Sequence, residues 1–283
     1  GFEDVNNRVM KLIGDPETRY REDPVRMLRA VRLAAKLRFT IDPESAERIP
    51  ELASLLQEAS SARLFEETLK LFLSGHAEAS FLGLEAHGLL AGLLPETAAA
   101  LASNRSGALR RMLLEGLRAT DARIAADEPV SPAFLFALLL WPAYCRTLAM
   151  LQAQGMHVAE AERRAADRVT LHQVATVALP RRFSLPMQEV WLLQARFSQR
   201  QRKRVVRLLS HPRFRAAYDF LLLRQSASDS HAEDIAFWAE AQRDPDHALE
   251  VAALTVESEG DGASTESRGP RRRRRRRPAA VGH

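Results

Sequence analysis

The 283-residue sequence predicts an all-α protein, and both its composition and its helix signals indicate this. Alanine, leucine, arginine and glutamate dominate the chain, and all four favour helix. Residues with β-branched side chains, which favour strands, are sparse. Hydrophobic residues make up 46% of the chain, which is enough for one or two cores. We therefore expect a helical protein that continues into an arginine-rich helical region and ends in a disordered basic tail.

Two Asp-Pro pairs mark helix starts near the beginning of the chain. In Asp23-Pro24 and Asp42-Pro43, the aspartate can cap a helix whose first position is the proline, where a missing N–H costs nothing. In the helix from Pro24, apolar residues recur on one face at the helical period of about 100° per residue. The opposite face is basic and carries Arg26, Arg29, Arg32 and Lys36.

The later helices follow from periodic apolar residues and their flanking signals. Gly75 and Gly88 follow two of them as C-terminal caps, and Ser131-Pro132 precedes a third. The predicted spans after Asp42 are 43–49, 62–73, 77–86, 107–126, 133–141, 158–175, 186–195, 198–209, 212–224 and 232–244. From residue 257 onward, Gly, Ser, Glu and polyarginine cannot form a core.

Positive charge is concentrated in two places. Without the seven arginines Arg271–Arg277, 34 basic residues stand against 36 acidic ones. The segment 181–215 holds ten Lys or Arg residues and one acid, Glu189. Such concentration indicates a polyanionic partner, and nucleic acid is the natural candidate.

Cysteine usage and hydropathy bear on the compartment. Cys145 is the single cysteine, so no intrachain disulfide can form, and we expect a reducing, cytoplasmic environment. The longest apolar run, 133–145, contains Pro142 and is too short to span a bilayer. No membrane partner is expected.

Asp23 and Arg26 form a pair of complementary hydrogen-bonding groups. An ionised aspartate only accepts hydrogen bonds and an arginine only donates them. Together they match a base edge with one acceptor and one amino donor, which adenine and cytosine both offer. The residues alone leave open which of the two is bound, and whether Asp23 is only a helix cap.

The stretch LIGDPETRYREDPVRMLRAVR, residues 12–32, resembles the signature of bacterial poly(A) polymerases. These are class II nucleotidyltransferases, as are the tRNA CCA-adding enzymes. In that superfamily an E-D-x-x-R motif reads the incoming base, and an L-R-A-x-R motif follows, here Leu28–Arg32. The context RYREDPVRM favours the poly(A) branch. A second motif, E-R-h-x-x-E, is matched at Arg63 and Glu67, with Ala62 in place of its leading acid. The implied nucleotide-binding residues are Glu22, Asp23, Arg26, Arg29, Arg63 and Glu67.

Arg63 and Glu67 of the second motif, spaced i and i+4, are expected to pair along one helix and brace it.

The arginine-rich segment also resembles the C-terminal half of bacterial poly(A) polymerases, a region thought to engage RNA. Arg200, Arg204 and Arg207 are expected to share a helix face that follows a phosphate backbone. Trp191, Phe197 and Phe214 are expected in the core more than in base stacking. The candidate RNA-contacting residues are Arg196, Arg200, Arg202, Lys203, Arg204 and Arg207, with Arg181, Arg182, Arg213 and Arg215 nearby.

The resemblance implies part of a polynucleotide adenylyltransferase that adds AMP from ATP to RNA 3′ ends, in polyadenylation and RNA decay. Its Mg²⁺ ligands come from a G-S … D-x-D pattern in a catalytic head, and this sequence has none. Asp244-Pro245-Asp246 lacks the preceding Gly-Ser, and the opening GFEDVNNRV resembles the end of such a head. We expect a C-terminal fragment without catalytic or metal-binding residues, inactive alone. Expected partners are RNA 3′ ends, ATP, and RNA helicase or RNA-decay proteins.

The resemblance suggests five regions. They are the end of the head (1–20), a nucleobase- and RNA-binding neck (21–75), body helices (76–128), an arginine-rich RNA-binding region (129–250) and a disordered polyarginine tail (251–283). Two other functions fit parts of the sequence: a CCA-adding enzyme, because Asp and Arg suit cytosine as well, and a non-catalytic RNA-binding protein.

Overall fold

Residues 2–227 and 229–260 are described by the computed structural model, and helices account for nearly all of their regular structure. The predicted all-α fold is confirmed. Within this range, the one sheet is a parallel pair of two-residue strands that aligns Val9 with Thr40 and Met10 with Ile41. Arg271–Arg277 of the predicted basic tail lie outside the described residues.

The first elements surround the Asp-Pro pairs. Asp42 caps its helix as predicted, because its Oδ2 accepts a hydrogen bond from the Ser45 N–H at 3.3 Å and Pro43 opens the helix. A 3₁₀ turn, Ala53–Glu58, leads to the next helix. These elements are α1 (Phe2–Asn6), β1 (Val9–Met10), α2 (Pro16–Glu22), α3 (Val25–Leu37), β2 (Thr40–Ile41), α4 (Pro43–Leu52) and α5 (Ser61–Phe72).

Twelve further helices follow in the described residues, four of which the sequence analysis did not predict: α7, α8, α11 and α17. The central set is α6 (Ala77–Ala86), α7 (Leu90–Leu93), α8 (Pro95–Ser103), α9 (Ala108–Ala125), α10 (Pro132–Leu139), α11 (Trp141–Ala153) and α12 (Val158–Thr176). The last set is α13 (Arg181–Gln194), α14 (Arg202–Leu209), α15 (Phe214–Ala227), α16 (Ala232–Arg243) and α17 (Pro245–Gly260).

Prolines explain two of the differences in helix boundaries. Pro142 interrupts the apolar run but lies in the first turn of α11, where proline is tolerated, so a second helix follows where we expected none. Pro186 lies inside α13, which begins five residues before the predicted start at 186. At the C-terminal end, α17 runs through 251–260, part of the segment that we assigned to the tail.

Two hydrophobic clusters hold these helices together. The larger extends from Tyr20 in α2 to Phe220 in α15, and the smaller gathers apolar residues of α13 to α17 around Trp238. Helix α15 contributes to both clusters and so joins them. The buried indole of Trp238 donates to the Phe197 carbonyl at 2.7 Å, and that of Trp191 donates to the Ala137 carbonyl at 3.0 Å. Both polar N–H groups are therefore satisfied inside the core.

No single helix among the described residues is long and apolar enough to cross a membrane; α10 and α11 reach that length and composition only as a pair bent by 52°. Cys145 is a residue of α11, and burial raises the pKa of its thiol to about 12. At neutral pH the thiol therefore stays protonated and unreactive.

Candidate functional site

The junction between α2 and α3 places the first predicted motif. Asp15 caps α2 by accepting the Thr18 N–H at 2.8 Å, and the helix ends at Glu22. Asp23 then adopts an extended conformation and Pro24 occupies the N-cap position of α3. The prediction that the Asp23 side chain caps α3 is wrong. Only its backbone carbonyl serves the helix, by accepting the Arg26 N–H at 3.0 Å.

The Asp23 carboxylate instead reaches across to α5. Arg63 Nη2 donates to Asp23 Oδ1 at 3.0 Å and to Oδ2 at 3.1 Å, and Arg29 Nη1 lies 3.5 Å from Oδ2. The Asp23 side chain is only 18% exposed. An ion pair between two helix ends is stronger when solvent is partly excluded, so this contact fixes the acceptor atoms of Asp23 in place.

Glu67 is the buried centre of a second set of contacts. Its side chain is 4% exposed and lies on α5 one turn after Arg63. Glu67 Oε1 accepts from Arg29 Nε and from Lys70 Nζ, both at 3.3 Å, and its Oε2 lies 3.5 Å from Arg32 Nε. The predicted pairing of Arg63 with Glu67 is wrong, because Arg63 pairs with Asp23 at the α2–α3 junction and Glu67 contacts arginines of α3. Glu67 therefore holds the basic face of α3 against α5.

Arg26 takes part in a third set of contacts. Its Nη1 donates to Glu22 Oε2 at 2.9 Å and to the Arg19 carbonyl at 2.7 Å, while Arg19 Nη1 donates to the same Glu22 oxygen at 2.7 Å. The hydrogen bond from Arg26 and the charges of both arginines hold the pKa of Glu22 below its ordinary value. Glu22 thus stays ionised and orients Arg26. The structure does not join the side chains of Asp23 and Arg26 directly, although they lie on adjoining networks.

These networks border a cleft of about 370 Å³. Three arginines line it, and apolar walls come from α3 and the strands. The basic side chains around the three networks outnumber the acidic ones by six to three. The acids are Glu22, Asp23 and Glu67, and the bases are Arg19, Arg26, Arg29, Arg32, Arg63 and Lys70. The excess positive charge suits a polyphosphate or a nucleic-acid backbone.

Arg19 and Lys70 were not among the predicted site residues. Both lie three residues from a predicted acid, Arg19 before Glu22 and Lys70 after Glu67, and i,i+3 residues are neighbours on a helix surface. That spacing was the signal that could have identified them.

The predicted RNA-contacting residues divide into two groups. Arg202, Lys203, Arg204 and Arg207 are exposed on α14, and Arg196 is exposed before it. No ion pair holds those four α14 side chains within the described part of the chain. Arg200 is different, because Gln201 is the N-cap and the helix starts at Arg202. The prediction that Arg200 shares a helix face with Arg204 and Arg207 is therefore wrong.

Arg200 has a structural role in the smaller core. Its Nη2 donates to Asp234 Oδ1 at 3.0 Å, and its guanidinium lies 5.2 Å from the ring centroid of Phe237 on α16. Of the nearby arginines, Arg213 pairs with Glu189 at 3.0 Å and Arg215 pairs with Asp219 at 3.1 Å.

The candidate stacking residues are buried. Trp191 and Phe197 are each 1% exposed and Phe214 is 7% exposed. Phe197 and Phe214 pack against Trp238 in the smaller core. Their placement confirms the core interpretation and leaves no ring face for a base.

No group of three or more His, Cys, Asp or Glu side chains in the described residues is arranged to hold a metal ion. In the Asp-Pro-Asp segment, Asp244 Oδ1 accepts the His247 N–H at 3.1 Å, so Asp244 caps α17. The residues present thus do not fit the Mg²⁺ that the resemblance implies, and no reaction step is derived through it.

Two regions of the chain match known protein families. Residues 38–101 match the family described as "Probable RNA and SrmB- binding site of polymerase A", and residues 154–278 match "Polymerase A arginine-rich C-terminus". Both descriptions name parts of a polymerase A.

Sequence similarity to curated proteins identifies the family. The chain is 40% identical over 285 residues to Poly(A) polymerase I of Salmonella typhi, an alignment that covers 99% of this chain and 61% of the relative. It is 44% identical over 225 residues to Poly(A) polymerase I of Escherichia coli O157:H7, covering 79% of this chain and 48% of that one. The chain belongs to the bacterial poly(A) polymerase family, which confirms the resemblance, and spans about three fifths of the length of the Salmonella relative.

A CCA-adding enzyme of Lactobacillus helveticus is also similar, with 36% identity over 81 residues, or 29% of this chain and 20% of the relative. The similarity to CCA-adding enzymes is therefore partial, whereas that to poly(A) polymerases extends over nearly the whole chain.

Proposed function

We propose that this chain is the base-selecting and RNA-binding part of an enzyme that adds AMP from ATP to RNA 3′ ends. The observation that carries the proposal is the 40% identity to Poly(A) polymerase I over 99% of the chain. The site geometry supplies the physical argument, in which adenine is read at the α2–α3 junction and RNA is held on α14.

Adenine recognition uses the hydrogen-bonding capacity that the networks leave unused. Among the described residues, Arg26 donates through Nη1 alone, so its Nη2 and Nε remain for adenine N1. Asp23 accepts from Arg63 Nη2 on both oxygens and from Arg29 Nη1 on Oδ2. A carboxylate has about four lone-pair sites, so Asp23 can still accept the adenine amino group. Arg63 acts here as a positioning residue, because it holds the acceptor in place without reading the base.

The same logic admits cytosine, so the A-over-C preference in this proposal rests on the family and not on the Asp23–Arg26 pair. Arg29 and Arg32 lie on the same basic face and would attract the triphosphate or the RNA end. Glu67 keeps both arginines aligned on α3.

RNA binding is assigned to the exposed basic side chains of α14, together with Arg196. Arg202, Lys203, Arg204 and Arg207 have no competing carboxylate in the described structure, so phosphate contact need not break an existing ion pair. Such contacts are largely independent of the RNA sequence.

Two other expectations stay predictions. One is that RNA helicase or RNA-decay proteins are partners, and the other is the division of the chain into neck, body and C-terminal regions.

The function is tested by nucleotide incorporation. The full-length gene product, given an RNA primer, Mg²⁺ and one nucleoside triphosphate at a time, should extend the primer with ATP. Incorporation of CTP would favour the CCA-adding alternative. Absence of any incorporation, with RNA binding retained, would favour a non-catalytic RNA-binding protein. We also expect this chain alone not to extend the primer, since its described residues supply no metal-binding carboxylates.

A further inference from the structure

A second cleft lies between α8, α9, α11 and the end of α15. Its volume is about 590 Å³, within the range of small-molecule sites. It shares five lining residues with an adjoining cleft of about 330 Å³: Trp141, Cys145, Ala149, Arg224 and His231. Arg224 thus projects between two cavities, neither of which belongs to the candidate base-reading or RNA-binding residues.

Arg224 is a partly buried cation with no carboxylate at ion-pair distance among the described residues, and Asp234 attracts it only at longer range. Its Nη1 donates to Gln194 Oε1 at 3.3 Å, and its guanidinium lies 5.4 Å from the ring centroid of Trp141. No other hydrogen bond and no ion pair links it to a described side chain. Burial lowers the pKa of Arg224, which reflects the cost of removing the charge from water. Arg224 lines both clefts, and its guanidinium N–H groups that do not bond Gln194 are available there to an anionic ligand.

The side chains that line the larger cleft favour an anionic ligand. Its described lining contains no Asp or Glu, and its charged residues are Arg146 and Arg224. His231 lines both clefts, and burial lowers its pKa, so it does not distinguish them by charge. The ion pair of Arg146 with Glu96 is long, at 4.0 Å, and both side chains are at least 40% exposed, so it competes weakly for Arg146. The smaller cleft instead carries Glu162 and Asp234. An anion is therefore favoured on the side of Arg224 that faces the larger cleft.

The remaining walls suit the uncharged part of a ligand. Leu109 and Met112 of α9 give an apolar surface, and Ser103 and Asn104 at the end of α8 add polar groups. We propose that this cleft binds a small phosphate-bearing ligand of nucleoside monophosphate size, with the phosphate held by Arg224 and Arg146. Arginine suits this role because its planar fork bonds phosphate oxygens in pairs.

Isothermal titration of the whole chain with AMP, inorganic phosphate and adenosine tests the proposal. We expect AMP to bind and adenosine to bind at least about tenfold more weakly, since charge-assisted bonds to phosphate are lost. Binding of inorganic phosphate alone at the same site would identify the phosphate as the recognised group. Arg224→Met and Arg146→Ala should each weaken AMP binding about tenfold or more.

Two controls locate the bound ligand. Arg111→Ala removes an arginine of α9 that bonds the Ser106 carbonyl outside the cleft, and it should leave affinity unchanged. Arg26→Ala tests whether AMP binds instead in the separate cleft at the α2–α3 junction. If Arg224→Met fails to fold, Arg146→Ala still tests the cleft, because Arg146 is half-exposed. The proposal is overturned if neither AMP nor phosphate binds at millimolar concentration, or if only Arg26→Ala abolishes binding. Binding of RNA oligonucleotides but not AMP at Arg224 would also overturn it.

Discussion

Arg63 Nη2 lies 3.0 Å and 3.1 Å from the two carboxylate oxygens of Asp23, forty residues earlier in the chain. This ion pair fastens the N-terminal turn of α5 to the junction of α2 and α3. The Asp23 carboxylate bonds Arg63 and does not cap α3, so a residue suited to capping serves as a fixed acceptor instead.

The first prediction separates base reading from positioning. In the full-length enzyme, Asp23→Asn should lower kcat/KM for ATP about ten- to a hundredfold, because the amide presents a donor where the adenine amino group needs an acceptor. Arg63→Ala should lower it less, since Asp23 remains but is no longer held. Primer extension at several ATP concentrations measures both effects.

Arg48→Ala is the matched control for Arg63→Ala. Arg48 pairs with the exposed Glu51 on α4, so its loss removes a comparable surface ion pair outside the site. Equal activity of Arg48→Ala and Arg63→Ala would contradict a positioning role for Arg63.

The second prediction concerns the buried carboxylate of Glu67. Glu67→Gln should lower the free energy of unfolding by about 1–3 kcal/mol, because contacts of a charged group with Arg29, Arg32 and Lys70 are replaced by those of a neutral amide. Urea denaturation followed by tryptophan fluorescence measures the change. Glu66→Gln, one residue earlier and exposed, is the control and should change stability little. Equal stability of the two variants would show that Glu67 does not hold α3 to α5.

Local chemistry accounts for what the sequence predicted well. The sequence predicted correctly that Asp42 caps the helix opened by Pro43, because capping involves only residues within one turn, here Asp42 and Ser45. Asp23-Pro24 has the same local pattern, yet a residue forty positions away decides where its carboxylate points. The hydrogen-bonding types at the site could be predicted from residue identity, whereas the partners of Arg63 and Glu67 depend on how α3 packs against α5. Arg200 was misplaced for a similar reason, since helix α14 begins two residues after it.

The third prediction is a dependence of stability on pH. Burial lowers the pKa of His87 and of His231 in the folded protein below the ordinary value of about 6.5. The unfolded chain therefore takes up protons first, so stability should be full above pH 6.5 and should fall as the pH drops from there through the folded pKa values. His87 follows α6 as its C-cap residue and lines a cleft, and burial there accounts for its lowered pKa.

Urea midpoints at pH 7 and pH 5 test this dependence. His87→Gln should reduce the difference between the two midpoints, and the exposed His157→Gln should not. An unchanged difference in the His87 variant would mean that other groups cause the acid sensitivity.

The last prediction concerns the basic surface of α14. The double variant Arg204→Ala, Arg207→Ala should weaken binding to RNA by a similar factor across different sequences, because phosphate contacts carry no base information. Two lost contacts should flatten the dependence of log K on log salt by about 1.4, at roughly 0.7 per phosphate of a single strand.

Arg118→Ala with Arg123→Ala on α9 is the control. It removes the same charge from side chains that are already paired with acids, so it isolates the long-range electrostatic effect. Arg200→Ala should differ from both, because losing its bond to Asp234 loosens α16 and lowers stability more than affinity. Fluorescence anisotropy of labelled RNA over a salt series measures these slopes, and equal slopes for the α14 and α9 double variants would place the RNA elsewhere on the protein.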